Sequence, residues 1–277
     1  MILVTGATGN VGTALLKELH TQGIAQVGAL TRDASRAEFP EGVQVFEGDF
    51  TDLTSLKPAL DGVRSMFLLP RMGSDADIID AARQAGVEHV VLVSSITVST
   101  HPHLGPAAEN RAVERLLEDS GMGWTMLRPT QFASNTLMWA QAIQEHRSVE
   151  IPYADIGLPT IHPADIASVA RVALTEPGHQ GQRYALTGPE LVTARQQVAA
   201  IGAALGRDVP VTEISREQAR AGMVAVFGED AADAVLDLTG GDVNAELLAV
   251  RDTVERITGS PARPFHQWVA ENIEAFR

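Results

Sequence analysis

The first half of the chain alternates short β-rich apolar runs with stretches whose apolar residues recur at helical spacing. The strand runs cover residues 2–5, 26–31, 43–47, 65–69, 89–94 and 124–127, and the helical stretches cover 11–22, 53–60, 75–85 and 107–120. Strands alternating with helices of this length predict a parallel sheet with helices on both faces. Val90-Val91-Leu92-Val93 is apolar at every position, as a strand covered on both sides requires. Asp61-Gly62 and Ala85-Gly86 read as helix ends with glycine in the left-handed position. Beyond Pro129 the alternation loosens. Helices are expected over 133–144 and 165–174, an extended piece at 149–152 and a strand at 183–187. Thr193-x-x-Gln196 and Ser215-x-x-Gln218 have the form of capping boxes, and a last helix is expected over 265–276. The fold class predicted is α/β: a Rossmann-type doubly wound parallel sheet with a smaller C-terminal α/β cap. Residues 1–152 form the dinucleotide-binding domain, and 153–277 form mainly the substrate-binding cap, with some segments returning to the sheet.

The first strand runs directly into Thr5-Gly6-Ala7-Thr8-Gly9-Asn10-Val11-Gly12 and then a helix. Gly6 allows a tight turn out of the strand, Gly9 lets backbone amides approach a phosphate, and Gly12 allows close helix–sheet packing. The helix that follows aims its free N–H groups and positive dipole end at the anion. A glycine triplet is informative in this context, between a strand and a helix.

The end of the second strand, beside the adenosine ribose, governs cofactor choice. It reads Ala29-Leu30-Thr31-Arg32. Thr31 can hydrogen-bond and Arg32 can grip a 2′-phosphate in bidentate fashion, with Arg36 as a second phosphate contact. Asp33 argues the other way, because a carboxylate repels that phosphate; it is equally suited to capping the turn ahead of Ser35. NADP(H) is therefore expected over NAD(H). After the third strand, Asp49 can accept from the adenine amino group while Phe50 packs on the ring, or Asp49 caps the helix that follows.

Composition narrows the chemistry. With no cysteine there are no disulfides, thiolate metal sites or thiol nucleophiles, which agrees with a reducing cytoplasm. A net charge of −14, from 21 basic and 35 acidic residues, opposes direct nucleic-acid binding. No apolar run reaches the roughly 20 residues of a membrane helix, and the start lacks the basic region of a signal peptide. No metal site is expected: His101 and His103 have no third ligand at useful spacing. His162 and Asp165 read as structural, Asp165 capping the next helix. Glu229, Asp230, Asp233 and Asp237 read as a solvated helix face.

Four segments resemble the NmrA-like proteins, an atypical branch of the short-chain dehydrogenase/reductase superfamily. They are the 5–12 turn, Gly48-Asp49-Phe50-Thr51-Asp52, Val91-Leu92-Val93-Ser94-Ser95, and Gly123-Trp124-Thr125-Met126-Leu127-Arg128-Pro129. Their spacing fits as well, and the tail from Phe265 to Phe276 looks like the family's ending. The resemblance spans essentially the whole chain and implies NAD(P) lying across the sheet edge. It places Gly6, Thr8, Asn10 and Val11 at the pyrophosphate, Leu69 and Pro70 along the cofactor, and Ser94 near the nicotinamide ribose. Pro129, Thr130, Gln131 and Phe132 would bracket the nicotinamide. Some relatives in the group act as redox sensors, so the resemblance leaves room for a protein partner, or a homodimer.

The departure from the superfamily lies in the proton chemistry. Its typical members use a Tyr-x-x-x-Lys pair, and matching the helix around Glu114 puts Pro106 and Asn110 at those two places. Tyr153 and Tyr184 are the only tyrosines, and glycine follows each four residues later. Isoflavone-reductase-like relatives use a lysine in this helix, where Arg111 and Arg115 are the only bases. Reducing an ordinary ketone calls for a positioned acid, worth about 10²–10⁴-fold. A quinone, enone or azo acceptor delocalises the added charge, and water can supply the proton. The expected function is NADP(H)-dependent hydride transfer to such a small flat acceptor, held in an apolar slot of Phe132, Met138, Trp139 and Tyr153. The alternative is a non-catalytic NADP(H) sensor. His101 and His103, just past the fifth strand, are the candidate proton donors.

Overall fold

The computed structural model describes residues 1–36, 38–70 and 73–277, and of Arg36 and Phe227 only the backbone. The elements run β1 (Ile2–Val4), α1 (Asn10–Thr21), β2 (Val27–Thr31), β3 (Gln44–Glu47), α2 (Leu53–Leu60), β4 (Ser65–Leu68), α3 (Asp75–Gln84) and β5 (His89–Val93). Then come α4 (Thr97–Thr100), α5 (Gly105–Asp119), β6 (Gly123–Pro129), α6 (Ala140–Gln144), β7 (Val149–Ile151), β8 (Gly157–Leu158), α7 (Pro163–Thr175) and β9 (Gln182–Leu186). The remainder is β10 (Val192–Thr193), α8 (Ala194–Leu205), β11 (Val211–Glu213), α9 (Arg216–Phe227), α10 (Glu229–Leu236), α11 (Ala245–Leu248), α12 (Thr253–Thr258) and α13 (Phe265–Asn272).

Seven parallel strands form one sheet in the order β3-β2-β1-β4-β5-β6-β9. The order reverses direction between β1 and β4, which opens a crevice at the carboxyl ends of those strands, where this architecture binds ligands. Alternation along β5 sends Val91 and Val93 to one face, into a core with α1 and α7. Val90 and Leu92 face the other way, into a core with α2, α3 and α5. Each such side chain contributes about 1.5–3 kcal/mol on burial. A third core joins α6, β7, α8 and α13 into the cap.

Several expectations shift. The segment 133–144 is not one helix: a 3₁₀ turn over Ala133–Trp139 precedes α6. Beyond residue 152 the chain supplies β9, the seventh strand of the sheet, and α7, which packs on α1; this is the expected return of cap segments to the sheet and not a change. Asp165 does not cap α7. That role falls to His162, whose Nδ1 accepts from the Ala164 amide at 3.0 Å. Asp165 is fully buried one turn in, where it accepts from the Arg263 amide at 2.8 Å and from the Arg263 guanidinium at 2.5 Å. A buried carboxylate needs such a partner, and the pair latches the C-terminal segment onto α7. Asp233 and Asp237 are likewise paired, with Arg220 and Arg216. Both capping boxes, at Thr193 and Ser215, are formed.

A second buried carboxylate ties α5 to the sheet. Glu114 is wholly inaccessible and accepts from Arg128 Nε and Nη2 at 2.8 and 2.6 Å, from Ser94 Oγ at 2.7 Å and from Arg111 at 3.0 Å. Burial pushes its pKa up, yet the hydrogen bonds and charges of Arg128, Ser94 and Arg111 outweigh burial and hold it below the ordinary value of 4.5.

Two predictions follow from these contacts. A Cβ on Gly12 would lie 2.2 Å from the Gly6 carbonyl oxygen, a backbone atom that cannot swing aside, whereas one on Gly222 meets open space. Gly12→Ala should lower urea-unfolding stability by about 1–3 kcal/mol, while Gly222→Ala should leave it unchanged or slightly raised. Because the Glu114 pKa is depressed in the fold, its contribution is complete above the unfolded value of 4.5 and is lost as pH falls through the folded one. The fall in stability between neutral and strongly acidic pH should therefore be smaller in Glu114→Gln than in the wild type, and that variant should start about 3 kcal/mol lower at pH 7. Parallel pH–stability curves would contradict this.

Candidate functional site

The glycine turn is built as its spacing predicts. Gly6 adopts φ +59°, and a side chain there would meet Leu69 Cδ1 at 2.2 Å. Gly9 stands at the start of α1 in extended backbone with no side chain capping the helix. The first amides of α1, from Asn10 on, therefore present an uncapped, electropositive end at the β1 edge. Thr8, Gly9 and Asn10 are exposed there, while Val11 and Gly12 turn inward. Thr5 is buried beneath the turn, and its hydroxyl accepts from the Leu69 amide at 3.0 Å, which locks the ends of β1 and β4 together.

From this turn a cavity of about 430 Å³ extends toward β2 and β3, lined by Gly6, Thr8, Thr31, Arg32, Asp49 and Phe50 among others. Arg32 is exposed at its rim. Asp33, the residue that argued for NAD, turns its carboxylate onto Ser35, accepting from that residue's amide at 2.9 Å and its hydroxyl at 2.6 Å. Arg36's side chain lies outside the described residues. Asp49 accepts from the Thr51 amide and hydroxyl, both at 2.8 Å; these bonds, with a smaller pull from Arg32's charge, lower its pKa. Asp52 rather than Asp49 caps α2. Asp49 is thus a fixed carboxylate on the cavity wall beside the buried Phe50 ring.

On the other side of the turn lies a cleft of about 500 Å³. Leu69, Pro70, Ser94, Pro129, Thr130 and Phe132 form its floor, at the ends of β4, β5 and β6. Ser94 is held by Glu114, as above, and Phe132 is fixed by pairing of its backbone with Ile161. Pro106 and Asn110, which stand where the superfamily has tyrosine and lysine, both line this cleft. The Asn110 Nδ2 donates to the Pro106 carbonyl at 2.9 Å.

The aromatic slot expected around Phe132 is divided. Phe132 lines the cleft, whereas Met138, Trp139 and Tyr153 line a second cavity. The two cavities share wall residues Gln131, Asn135, Leu158, Val235 and Thr239. Tyr153 takes φ +55°, and Gly240 packs so tightly on it that a Cβ there would sit 2.3 Å from its ring.

His101 and His103, the expected proton donors, do not line either cavity. After α4 the chain turns under the segment 242–244, which buries His101 completely; its Nε2 donates to the Asp242 carbonyl at 2.6 Å and its ring meets Thr100 and Asn244. His103 is exposed, 3.6 Å from the Asp242 carboxylate. The pair holds the cap to the α4 loop. Among the described residues no group of three His, Asp or Glu side chains is arranged to hold a metal, and no helix is long and apolar enough to cross a membrane.

The sequence reading missed the cleft roof. Val235, Leu238 and Thr239 face the cleft from α10 and the turn after it. Their i, i+3, i+4 spacing was a signal, overshadowed by the acidic residues on the opposite side of the same helix.

Comparison with known proteins agrees with this geometry. A family model described as NAD(P)H-binding matches residues 6–177. Over its full length the chain is 38% identical to the (4-alkanoyl-5-oxo-2,5-dihydrofuran-3-yl)methyl phosphate reductase of Streptomyces griseus, of which 99% is covered. It is 35% identical to the NAD(P)H azoreductase of Xenophilus azovorans, over 100% of this chain and 99% of that protein. The NADPH complex of the NADPH-dependent quinone oxidoreductase of Escherichia coli superposes with a TM-score of 0.80 at 28% identity, covering 98% of this chain and 99% of that one. Turn, sheet order and relatives agree: the chain belongs to the NAD(P)H-binding family, within the NmrA-like, atypical branch of the short-chain dehydrogenase/reductases.

Proposed function

We propose that the protein is an NADPH-dependent reductase of small, flat, conjugated acceptors. The observation that carries this reading is the continuous edge of the sheet: a phosphate turn flanked by an adenosine-sized cavity on one side and an apolar cleft on the other. When bound, the dinucleotide supplies a hydride; the residues of this chain do the holding. The uncapped end of α1 and the Gly6–Gly12 turn take the pyrophosphate, and Arg32 takes the 2′-phosphate, with Asp33 turned onto Ser35 instead of toward the ribose. Asp49 and Phe50 receive the adenine. Leu69, Pro70, Ser94 and Pro129 position the nicotinamide end, and Phe132 offers its ring to a stacked acceptor.

The reading of the acceptor rests on what the cleft contains. Pro106 can donate no proton, and the Asn110 amide is turned onto the Pro106 carbonyl. An acceptor whose added charge spreads through conjugation needs no strong acid beside it, and solvent delivers the proton after hydride arrival. The names of the relatives describe such acceptors: an azo compound, a quinone, and an unsaturated lactone bearing an acyl group.

Two measurements test this. NADPH absorbance should fall on mixing with at least one member of a panel of quinones, enones and azo dyes. Cofactor binding without turnover on any of them would instead support a sensor that reports redox state to a protein partner. Arg32→Glu should weaken NADPH binding about 10- to 100-fold in calorimetric titration and leave NADH within about threefold, since a charged hydrogen-bond pair is lost only for the phosphate-bearing cofactor. Equal losses for both cofactors would remove Arg32 from that role.

A further inference from the structure

The second cavity adjoins the cleft but is built differently. It measures about 140 Å³ and is walled mainly by apolar side chains, among them Trp139, Ile151, Ile156, Val192 and Met223. Several polar residues also line it, and Gln197 is the most deeply buried of them. Gln197, on α8, is 1% exposed, and its Nε2 donates to the Thr160 hydroxyl at 3.0 Å. The Thr160 hydroxyl in turn directs its own hydrogen toward the Leu158 carbonyl, at 3.5 Å. In this arrangement the amide nitrogen faces Thr160. The Gln197 Oε1 is left buried without a hydrogen-bond partner among the described residues.

Buried acceptors are nearly always paired, and one that is not asks for an explanation. Here the explanation lies in the residue's position: the unpaired oxygen belongs to a wall residue of an apolar cavity, and that cavity shares five residues with the cleft. We infer that this cavity is a substituent subsite, taking an apolar chain or ring of the acceptor that ends in a hydroxyl or N–H donor, which Gln197 Oε1 receives. The inference rests on the reductase reading of the cleft and specifies its substrate further: a conjugated head on Phe132 and an apolar arm with a donor at its tip. Apolar burial supplies general affinity for the arm. This unpaired acceptor selects among arms, because a methyl-ended one leaves the oxygen unpaired while a hydroxyl-ended one satisfies it.

The test uses one quinone ring in three forms: unsubstituted, bearing a ladder of unbranched alkyl arms, and bearing the same arms ended in a hydroxyl. At the best arm length the hydroxyl-ended form should show kcat/KM about tenfold above its methyl-ended twin. Gln197→Leu should erase that difference and leave the unsubstituted quinone within about twofold. Ile156→Trp, at a half-buried wall position, fills the cavity while residue 197 stays glutamine, and it should abolish the advantage of every arm. It carries the test if the Gln197 variant does not fold. Calorimetric titration of redox-inert ω-hydroxyalkyl benzenes into the NADP⁺-loaded protein gives a readout independent of turnover. Turnover with no hydroxyl preference at any arm length overturns the subsite and leaves the reductase standing. Hydroxyl-selective binding of the inert ligands without turnover of any acceptor overturns the reductase reading and leaves the subsite standing.

Discussion

The contact between the Gly12 backbone and the Gly6 carbonyl is the constraint from which the rest of the site follows. Helix α1 can approach the end of β1 that closely only because no Cβ intervenes; one would lie 2.2 Å from the Gly6 oxygen. The approach points the uncapped helix end into the crevice where the strand order reverses between β1 and β4. On either side of it, the ends of β2 and β3 line one cavity, while the ends of β4, β5 and β6 line the cleft. A helix held further from the sheet would carry its free amides away from that crevice.

The chemistry depends on a different economy, that of buried charge. The chain spends its inner carboxylates on structure: Glu114 is saturated by Arg128, Arg111 and Ser94, and Asp165 by Arg263. Both histidines near the fifth strand are engaged with Asp242. What remains facing the cleft is mostly apolar, with hydroxyls and amides as its polar groups among the described lining residues. Such a site binds and orients well and donates protons poorly. That balance is why the acceptor proposed here is one whose own conjugation carries the charge.

Much of this was legible in the chain because it is local. The all-apolar run 90–93 fits a strand buried on both faces, which β5 is, and the glycine spacing between strand and helix points to its turn. The capping boxes at Thr193 and Ser215 are sequence patterns with one geometric outcome. Asp33 ahead of Ser35 offers two readings, against a ribose phosphate or as a cap, and the structure turns its carboxylate onto Ser35. What was not legible depends on partners far along the chain. His101 is buried by residues 242–244, and Asp165 is claimed by Arg263. The aromatic residues are split between two cavities, with Trp139 at the end of the 3₁₀ turn over 133–139 and away from the cleft that Phe132 lines. Helical periodicity alone cannot distinguish that turn from a regular helix.

The central claim is that one groove runs from Arg32 past the α1 end to an acceptor space at Phe132. A crystal structure with NADP⁺ bound tests it most directly. The account predicts the 2′-phosphate at Arg32, the pyrophosphate on the Gly6–Gly12 turn, and the nicotinamide beside Leu69, Ser94 and Pro129 with one ring face open toward Phe132. A nicotinamide whose reactive face is closed off by protein, or a dinucleotide lying elsewhere, would contradict it.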